Sequence, residues 1–411
     1  MEKYHWDVNL KIRLLGETLF NLLYWMYFPF IAVYFSQTIS LTWAGFLLMI
    51  PPIISLLFNL IGGYLADTFG RRPTMILGSS IQTGMFALFA LSPSPWLDYA
   101  AFLGIGIGTA FYKPASDAMV ADLVDESNRK EVFATFMTMN NIGAVLGPII
   151  GAILFFEYRS LLLWSCTTVT LIYTVLLFIQ LKETVPQKNT SAKFSASQVL
   201  STQFKDYIAM RKDKAFMYYI VAGIFSVIAI MQLDLYLAIY ITEYVPLQTL
   251  FHWNDWLIQI EGAEVLGLIL GLNGVLFVLF VLPITKWLKS WTDESVFILS
   301  CLLAGFGMFA VGFTTNIWIL FCLTFIFTFG EIVRAPVIYN FVSKHAPTKA
   351  RAQYMGAANM QFTLGRFVAP ITVLLATWLS PITIFSVILL SAFISLALYK
   401  RLFSLPTPTI K

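Results

Sequence analysis

Charged residues are scarce in this sequence. Only 12% of its 411 residues are Asp, Glu, Lys or Arg, whereas 58% are apolar and 16% are aromatic. Soluble domains carry about 25% charged residues, so this composition excludes an ordinary soluble protein. The apolar residues form runs of about 20, the length that crosses a bilayer. The formal net charge of +4 is too small to indicate nucleic acid, and we expect the lipid bilayer as the partner.

Cysteine and histidine are also rare. The three cysteines lie in apolar runs without metal-ligand spacing, which predicts core residues and no metal site: Cys166, Cys301 and Cys322. The three histidines lie in or near predicted loops: His5, His252 and His345. The sequence shows no nucleophile–base pair or phosphate loop, so we expect neither an enzyme nor a cofactor. The polar N-terminus leads directly into an apolar run and does not resemble a cleavable signal.

Counting about 20 apolar residues per crossing predicts twelve spans. The first six lie near residues 12–35, 41–61, 73–91, 96–121, 131–155 and 160–181, and the second six near 215–241, 261–283, 295–313, 316–341, 352–378 and 381–400. These sets predict an N-terminal half of residues 1–181, a linker of residues 182–214 and a C-terminal half of residues 215–411.

Basic residues predict the orientation. Predicted loops on the N-terminal side hold 22 of the 26 Lys and Arg residues, and the opposite side holds only Arg159. The positive-inside rule then places both termini in the cytoplasm of a cell-membrane protein. The remaining three, Lys113, Arg334 and Arg366, fall inside apolar runs.

The two halves repeat at an offset of 222 residues. Five matched pairs support this: Gly108 with Gly330, Pro114 with Pro336, Arg129 with Arg351, Gly143 with Gly365, and Pro148 with Pro370. Parallel repeats imply a two-fold axis along the membrane normal. We therefore predict an all-α polytopic membrane protein, whose twelve transmembrane helices form two six-helix pseudo-repeats around a central cavity.

Two motifs carry a resemblance to the major facilitator superfamily. The segment Gly62–Arg72 (GGYLADTFGRR) resembles the loop motif between helices two and three of that superfamily. A second run is similar to the span-five motif of its proton-coupled antiporters: Gly143, Gly147, Pro148 and Gly151. Span ten (TFGEIVRAP) is similar to Gram-positive proton-driven multidrug exporters. The resemblance implies proton-coupled antiport of hydrophobic or cationic compounds by a monomer, with protons as the coupling ion.

The chain departs from these relatives in three places. Thr68 replaces the basic residue that usually follows the aspartate of the loop motif. The middle of helix four lacks the usual arginine, and Lys113 is the nearest basic residue. Span five has no carboxylate, although some related exporters carry one. The proton route of the relatives therefore does not transfer as a whole.

Ionisable residues inside a membrane are costly and mark functional candidates. Helical spacing allows Lys113 to pair with Asp117 and Glu331 to pair with Arg334. Asp234 has no basic residue within a turn, and Glu17 lies near the cytoplasmic end. We expect Glu331 and Asp234 to exchange protons, with Asp117 and Glu17 as further candidates. For the two charged pairs, the alternative is a structural ion pair that holds helices together. For Glu17, the alternative is a side chain that reaches the cytoplasmic surface of the membrane.

A desolvated carboxylate binds a proton, and a lipophilic cation competes for the same charge. Lys113, Arg334 and several aromatic residues are the predicted cavity lining, where aromatic rings supply cation–π surface: Tyr24, Trp25, Tyr27, Tyr236 and Tyr240. Ordinary packing is the alternative for each ring. The glycines of span five, spaced four apart, predict close helix contact, and Pro148 predicts a kink.

The loop motif predicts a conformational latch in a tight loop at the membrane surface. Gly63 belongs to the motif and Gly70 permits the turn. Asp67 can accept hydrogen bonds from the N-terminus of a neighbouring helix, and the resemblance implies that this helix is span eleven, starting near Arg351. Arg71 is expected to pair with Asp122. These contacts would stabilise the outward-open state. A static loop is the alternative.

Three functions compete. A proton-coupled exporter of hydrophobic or cationic compounds is favoured by the span-five motif and the membrane carboxylates. An importer of the same fold, for peptides, lipids or sugars, is weaker, because only Glu17, Tyr24 and Tyr27 remain of the helix-one cluster of peptide carriers. A non-transporting sensor or scaffold lacks support from any appended domain.

Overall fold

The computed structural model describes residues 6–125, 129–184, 210–254, 256–347 and 351–405. Most of the predicted linker, residues 185–209, lies outside this part of the chain. The described residues fall into two compact units: unit one within Met1–Phe28 and Pro51–Ser201, and unit two within Pro29–Ile50 and Thr202–Lys411. The boundaries predicted at residues 182 and 214 stay a prediction.

Long helices account for each of the first six spans. They are Val8–Tyr27 continued by Ile31–Thr38 (span one), Leu41–Phe69 (two), Arg71–Leu91 (three), Pro95–Leu123 (four), Arg129–Glu157 (five) and Arg159–Gln180 (six). Span one therefore begins at Val8 rather than near residue 12. Span two runs to Phe69 rather than 61, because Gly62 and Gly63 continue the helix.

The second six spans include two that are interrupted. The helices are Lys214–Ile230 and Tyr236–Tyr244 (span seven), Gly262–Trp287 (eight), Asp293–Val311 (nine), Ile317–His345 (ten), Arg351–Ala358, Met360–Val368 and Ile371–Leu375 (eleven), and Pro381–Phe403 (twelve). Strands β1 (Gln248–Trp253) and β2 (Trp256–Ile260) form an antiparallel hairpin between spans seven and eight. The sequence predicts the longest external loop here, with aromatic residues that indicate an interface belt, and it does not predict the hairpin.

Ten of the described helices are long and apolar enough to cross a membrane by length and composition. Span four falls outside these ten, since its helix carries Asp98, Lys113, Asp117 and Asp122. Span eleven falls outside because it is divided near Asn359 and Pro370. Both exceptions have the polar residues or helix breaks that occur in membrane helices at functional positions.

Matching glycines make matching helix contacts in the two units, which supports the repeat. A methyl group added at Gly143 would lie 2.7 Å from the backbone nitrogen of Leu22, in span one. One added at Gly365 would lie 2.5 Å from Val227 Cγ1, in span seven. Span five thus packs on span one as span eleven packs on span seven. This confirms the predicted close helix contact at Gly143, and Gly147 likewise would bring a methyl group 2.5 Å from Trp25 Cβ of span one.

Gly108 and Gly330 form the second matched contact. A methyl group at Gly108 would lie 2.7 Å from the carbonyl oxygen of Gly78, in span three, and one at Gly330 would lie 2.5 Å from the backbone nitrogen of Ala304, in span nine. Pro114 and Pro336 lie inside their helices six residues further on. The cores of the two units therefore follow one packing plan.

A polar cluster connects three helices of unit two, at the ends of these helices where the basic loops are predicted. Asp213 caps span seven by accepting a hydrogen bond from Phe216 N at 3.0 Å. His345 Nε2 lies 2.8 Å from Asp213 Oδ2, and the Tyr354 hydroxyl donates to the same oxygen at 3.1 Å. Burial alone would raise the pKa of Asp213, but the hydrogen bonds from His345, Phe216 and Tyr354 outweigh it, and this pKa lies below its ordinary value.

Acidification should remove the stability that Asp213 contributes. A carboxylate with a lowered folded-state pKa stabilises fully above its unfolded value, near 3.9, and loses that contribution as the pH falls through the folded value. We expect Asp213→Asn to unfold at a lower temperature than the parent protein at pH 6, and the difference to shrink below about pH 4. Thermal unfolding of purified protein at several pH values measures this, and a difference that grows on acidification would contradict it.

Candidate functional site

Four charged residues form one network in unit one. Arg13, only 1% exposed, donates from Nη2 to Asp117 Oδ1 at 2.5 Å, and from Nε to the Ser116 hydroxyl. Lys113 Nζ donates to Glu17 Oε1 and lies 3.5 Å from Asp117 Oδ1. The predicted Lys113–Asp117 pair is therefore confirmed, and two further partners join it.

Arg13 was missed by sequence reasoning, which counted it among the loop residues. The structure places it in the helix of span one, where its guanidinium also lies 4.2 Å from the ring centre of Phe136. Glu17 is one helical turn further on and 8% exposed, so its carboxylate is held inside the unit. The spacing of Arg13 and Glu17 by four residues was the available signal.

Glu331 lies in a different environment in unit two. Its Oε2 accepts a hydrogen bond from Asn273 Nδ2 at 3.2 Å, and the same amide nitrogen donates to Thr328 Oγ1 at 3.0 Å. The predicted Glu331–Arg334 ion pair is wrong. Arg334, 2% exposed, donates instead to Gln361 Oε1 at 2.8 Å, because its side chain points toward span eleven while Glu331 points toward span eight.

Asp234 lies where span seven is interrupted. The short 3₁₀ turn Met231–Asp234 separates the two helices of this span, and such breaks line ion sites in transporters. Among the described residues, neither Asp234 nor Glu331 has a basic group within ion-pair distance. The charge of Arg366 acts on Asp234 from span eleven, and the charges of Asp234 and Arg334 act on Glu331 in opposite directions. These two carboxylates therefore form one electrostatically linked group.

The predicted aromatic lining divides between packed and partly exposed rings. Tyr236 and Tyr240 are buried, with ring centres 5.4 Å and 5.1 Å from that of Phe385. Tyr27 is buried in unit one and packs against other rings. Tyr24 and Trp25 are partly exposed, and Tyr24 stacks on Phe28 with ring centres 4.4 Å apart. A substrate contact by any of these rings stays a prediction.

The loop motif is mostly helical rather than a loop. Residues up to Phe69 belong to span two, and Gly70 alone makes the turn, at a φ of 112°. Arg71 Nε donates to Asp122 Oδ2 at 3.2 Å, which confirms the predicted pair, and Arg71 Nη1 also contacts Asp67. The predicted contact of Asp67 with the start of span eleven, near Arg351, falls on residues whose side chains lie outside the described part of the chain.

Glu183 was not anticipated from the sequence. Its carboxylate oxygens accept hydrogen bonds from the backbone N–H groups of Arg71 and Arg72, at 3.0 Å and 3.1 Å. A carboxylate at a helix N-terminus satisfies free N–H groups and favours the helix dipole. Glu183 thus ties the turn at Gly70 to the residues after span six. The role of this region as a latch stays a prediction.

Gly70 should tolerate no side chain. Its positive φ disfavours other residues, and an added methyl group would collide with the Glu183 carboxylate. We expect Gly70→Ala to lower the free energy of unfolding by about 1–3 kcal/mol, measured by thermal unfolding of purified protein. Gly84→Ala in span three is the matched control, because the described structure leaves open space at that position. Equal unfolding temperatures for the two variants would contradict the expectation.

Twelve membrane helices in two repeats, with carboxylates held at mid-helix positions, define a membrane transporter. The model of the Major Facilitator Superfamily matches residues 14–370 and 262–411, and the chain belongs to this family. The fold is accordingly the twelve-helix major facilitator fold predicted from the sequence. The proteins compared below are transporters, and this chain is a transporter rather than an enzyme.

Two relatives and one solved structure are informative. A Na(+), Li(+), K(+)/H(+) antiporter of Planococcus maritimus is 37% identical over 385 residues, which cover 91% of this chain and 90% of that protein. Multidrug resistance protein MdtH of Yersinia enterocolitica is 24% identical, covering 86% and 82%. The crystal structure of a POT family transporter in complex with 5-aminolevulinic acid superposes with a TM-score of 0.77 at 16% identity, covering 96% and 95%. This last likeness concerns the fold alone.

Proposed function

We propose that the protein is a proton-coupled antiporter that exports cations in exchange for protons. The observation that carries this proposal is the contrast between the two units. Asp117 and Glu17 in unit one are held in ion pairs with Arg13 and Lys113. Glu331 and Asp234 in unit two have only neutral hydrogen-bond partners, or none, in the described chain. Their charges are therefore available to a proton or to a transported cation.

Exchange follows from competition for these two carboxylates. A proton neutralises a carboxylate by binding to it, and a bound cation favours the ionised form. A carboxylate binds either the proton or the cation at one time, so binding of the cation releases the proton. Alternating access of the site to the two sides of the membrane, as in other transporters built from repeats, turns this competition into coupled transport.

Monovalent inorganic cations are the proposed substrates. Hard cations prefer oxygen ligands, and the surroundings of Glu331 supply a carboxylate, the Asn273 amide and the Thr328 hydroxyl. The Planococcus relative, described as a Na(+), Li(+), K(+)/H(+) antiporter, supports this choice. We place the protein in the cell membrane. The positive-inside rule then puts both termini in the cytoplasm.

Export of hydrophobic organic cations is the second candidate. It is favoured by the partly exposed Tyr24–Phe28 stack in unit one, since aromatic faces attract cations. The MdtH relative, described as a multidrug resistance protein, also supports it. The same carboxylates would couple either substrate to protons.

Proton movement in proteoliposomes tests the proposal. Vesicles with an acidic interior and a trapped pH indicator receive NaCl, LiCl, KCl, choline chloride or ethidium at equal ionic strength. We expect the interior pH to rise with at least one inorganic cation and to stay constant with choline. A response to ethidium alone would replace the inorganic substrate with an organic one. A protein that responds to none of these additions would contradict cation antiport.

A further inference from the structure

The hairpin between spans seven and eight has two unlike faces. Side chains alternate between the faces of a strand, and directly paired residues share a face. Phe251 pairs with Ile258, and Trp256 lies two residues from Ile258 on the same face. His252 pairs with Leu257 on the opposite face, which Gln259 shares. One face is therefore aromatic and aliphatic, and the other is largely polar.

The described residues of unit two leave the apolar face uncovered. Trp256 is 73% exposed, and Phe251 and Ile258 are also exposed. A two-stranded hairpin is at best marginally stable alone in water, and a cluster of exposed large apolar side chains marks an interaction surface. The hairpin therefore needs a partner for this face.

The base of the hairpin is fixed to the membrane-spanning helices. Gln248 Nε2 donates to Thr315 O at 2.7 Å, and Gln248 Oε1 accepts from Ile317 N at 3.3 Å, where span ten begins. Ile260 is buried at the other strand end, immediately before span eight. The start of β1 and the end of β2 thus lie within a few residues of a helix terminus, so the base of the hairpin lies at the ends of the membrane spans.

We propose that this hairpin lies in the lipid headgroup interface on the side opposite the basic loops, with the Phe251, Trp256 and Ile258 face toward the acyl chains. Tryptophan is enriched at this depth, because its ring is apolar while its N–H forms a hydrogen bond. Amphipathic segments in the interface bury their apolar face about 5–10 Å into the boundary of headgroups and acyl chains. The hairpin anchors the junction of spans seven and eight, which bears Asp234 on one side and Asn273 on the other.

Spin labels on the two faces test this placement. Trp256→Cys and Gln259→Cys are each labelled with a nitroxide in the full-length protein in phosphatidylcholine bilayers, in a Cys322→Ser background that removes the exposed native thiol. We expect the label at 256 to collide more with oxygen than with a water-soluble nickel chelate, and the label at 259 to show the reverse. Gln259 is the matched control, because it is exposed and lies on the polar face.

Two results would overturn the proposal. Equal access of nickel to both labels would place the apolar face in water. Protection of the 256 label from both reagents would indicate a protein partner, such as a second copy of the chain. Quenching by brominated phosphatidylcholine supplies a second measurement: the fluorescence that the brominated lipid removes, per mole of protein, should be larger for wild type than for Trp256→Phe, and equal losses would likewise contradict interfacial burial.

Discussion

Proteoliposomes that contain Glu331→Gln should show no cation-driven proton movement above that of empty vesicles. The amide keeps the shape of the side chain and can still contact Asn273, but it neither binds a proton nor carries a negative charge. Since proton and cation are proposed to compete for that charge, both partial reactions fail together. The measurement is the interior pH change after addition of NaCl, LiCl or KCl to vesicles of known protein content.

Glu264→Gln is the matched control for this prediction. It makes the same chemical change in the same unit, at the first turn of span eight, where Glu264 accepts a hydrogen bond from the Glu261 N–H at 3.1 Å. The glutamine amide oxygen can still accept this hydrogen bond, so stability should change little and exchange should continue. Full exchange by Glu331→Gln would remove Glu331 from the mechanism, and a collapsed unfolding temperature in that variant would assign it a structural role. Asp234→Asn should behave as Glu331→Gln does.

Arg13→Met should destabilise the protein more than any other single change discussed for unit one. It removes the guanidinium that contacts Ser116, Asp117 and the Phe136 ring, and leaves Asp117 with the longer contact to Lys113, at 3.5 Å. Removing one member of a buried ion pair costs about 3–5 kcal/mol, and we expect the lower end of that range because the Asp117 side chain is 43% exposed. We expect the unfolding temperature to fall by roughly 5–10 °C, measured on purified protein in detergent.

Lys11→Met is the matched control for Arg13→Met. It removes a positive charge two residues earlier on the same helix, from an exposed side chain, so the change should stay within about 0.5 kcal/mol. Combining Arg13→Met with Asp117→Asn should recover part of the lost stability, since the carboxylate that lost its guanidinium partner is then replaced by a neutral amide and the two residues are coupled. If Arg13→Met and Lys11→Met unfold at the same temperature, the network of unit one contributes no stability.

The fold was predictable from sequence because membrane spans have long apolar runs and the two halves carry matching glycines and prolines. The network of unit one was only partly predictable. Lys113 and Asp117 are neighbours on one helix, so their spacing was sufficient. Arg13 was assigned to a loop, because it follows a polar N-terminal stretch and an average over a window conceals a single buried charge. Its partners Ser116 and Asp117 lie more than 100 residues away.

The Glu331–Arg334 error has a different physical cause. A spacing of three residues permits two side chains of one helix to meet. It does not prevent either side chain from binding a residue of another helix instead. Asn273 and Gln361 are such partners, and neither has a linear signature. Glu183 was missed for a similar reason, since nothing local shows that its carboxylate returns to the N-terminus of span three. Long-range hydrogen bonds therefore decided the details that spacing left open.

The matched glycine contacts of the two units have a consequence for natural variation in this chain. Residues 108, 143 and 330 meet the backbone of a neighbouring helix, and residue 365 meets the Val227 side chain and the Ile224 carbonyl oxygen. Any residue larger than glycine forces two helices apart, so natural variants should rarely replace these four glycines. Sensitivity measured at a position in one half should thus forecast the sensitivity of the position 222 residues away. A saturation library selected for growth would show four depleted columns, arranged as two pairs.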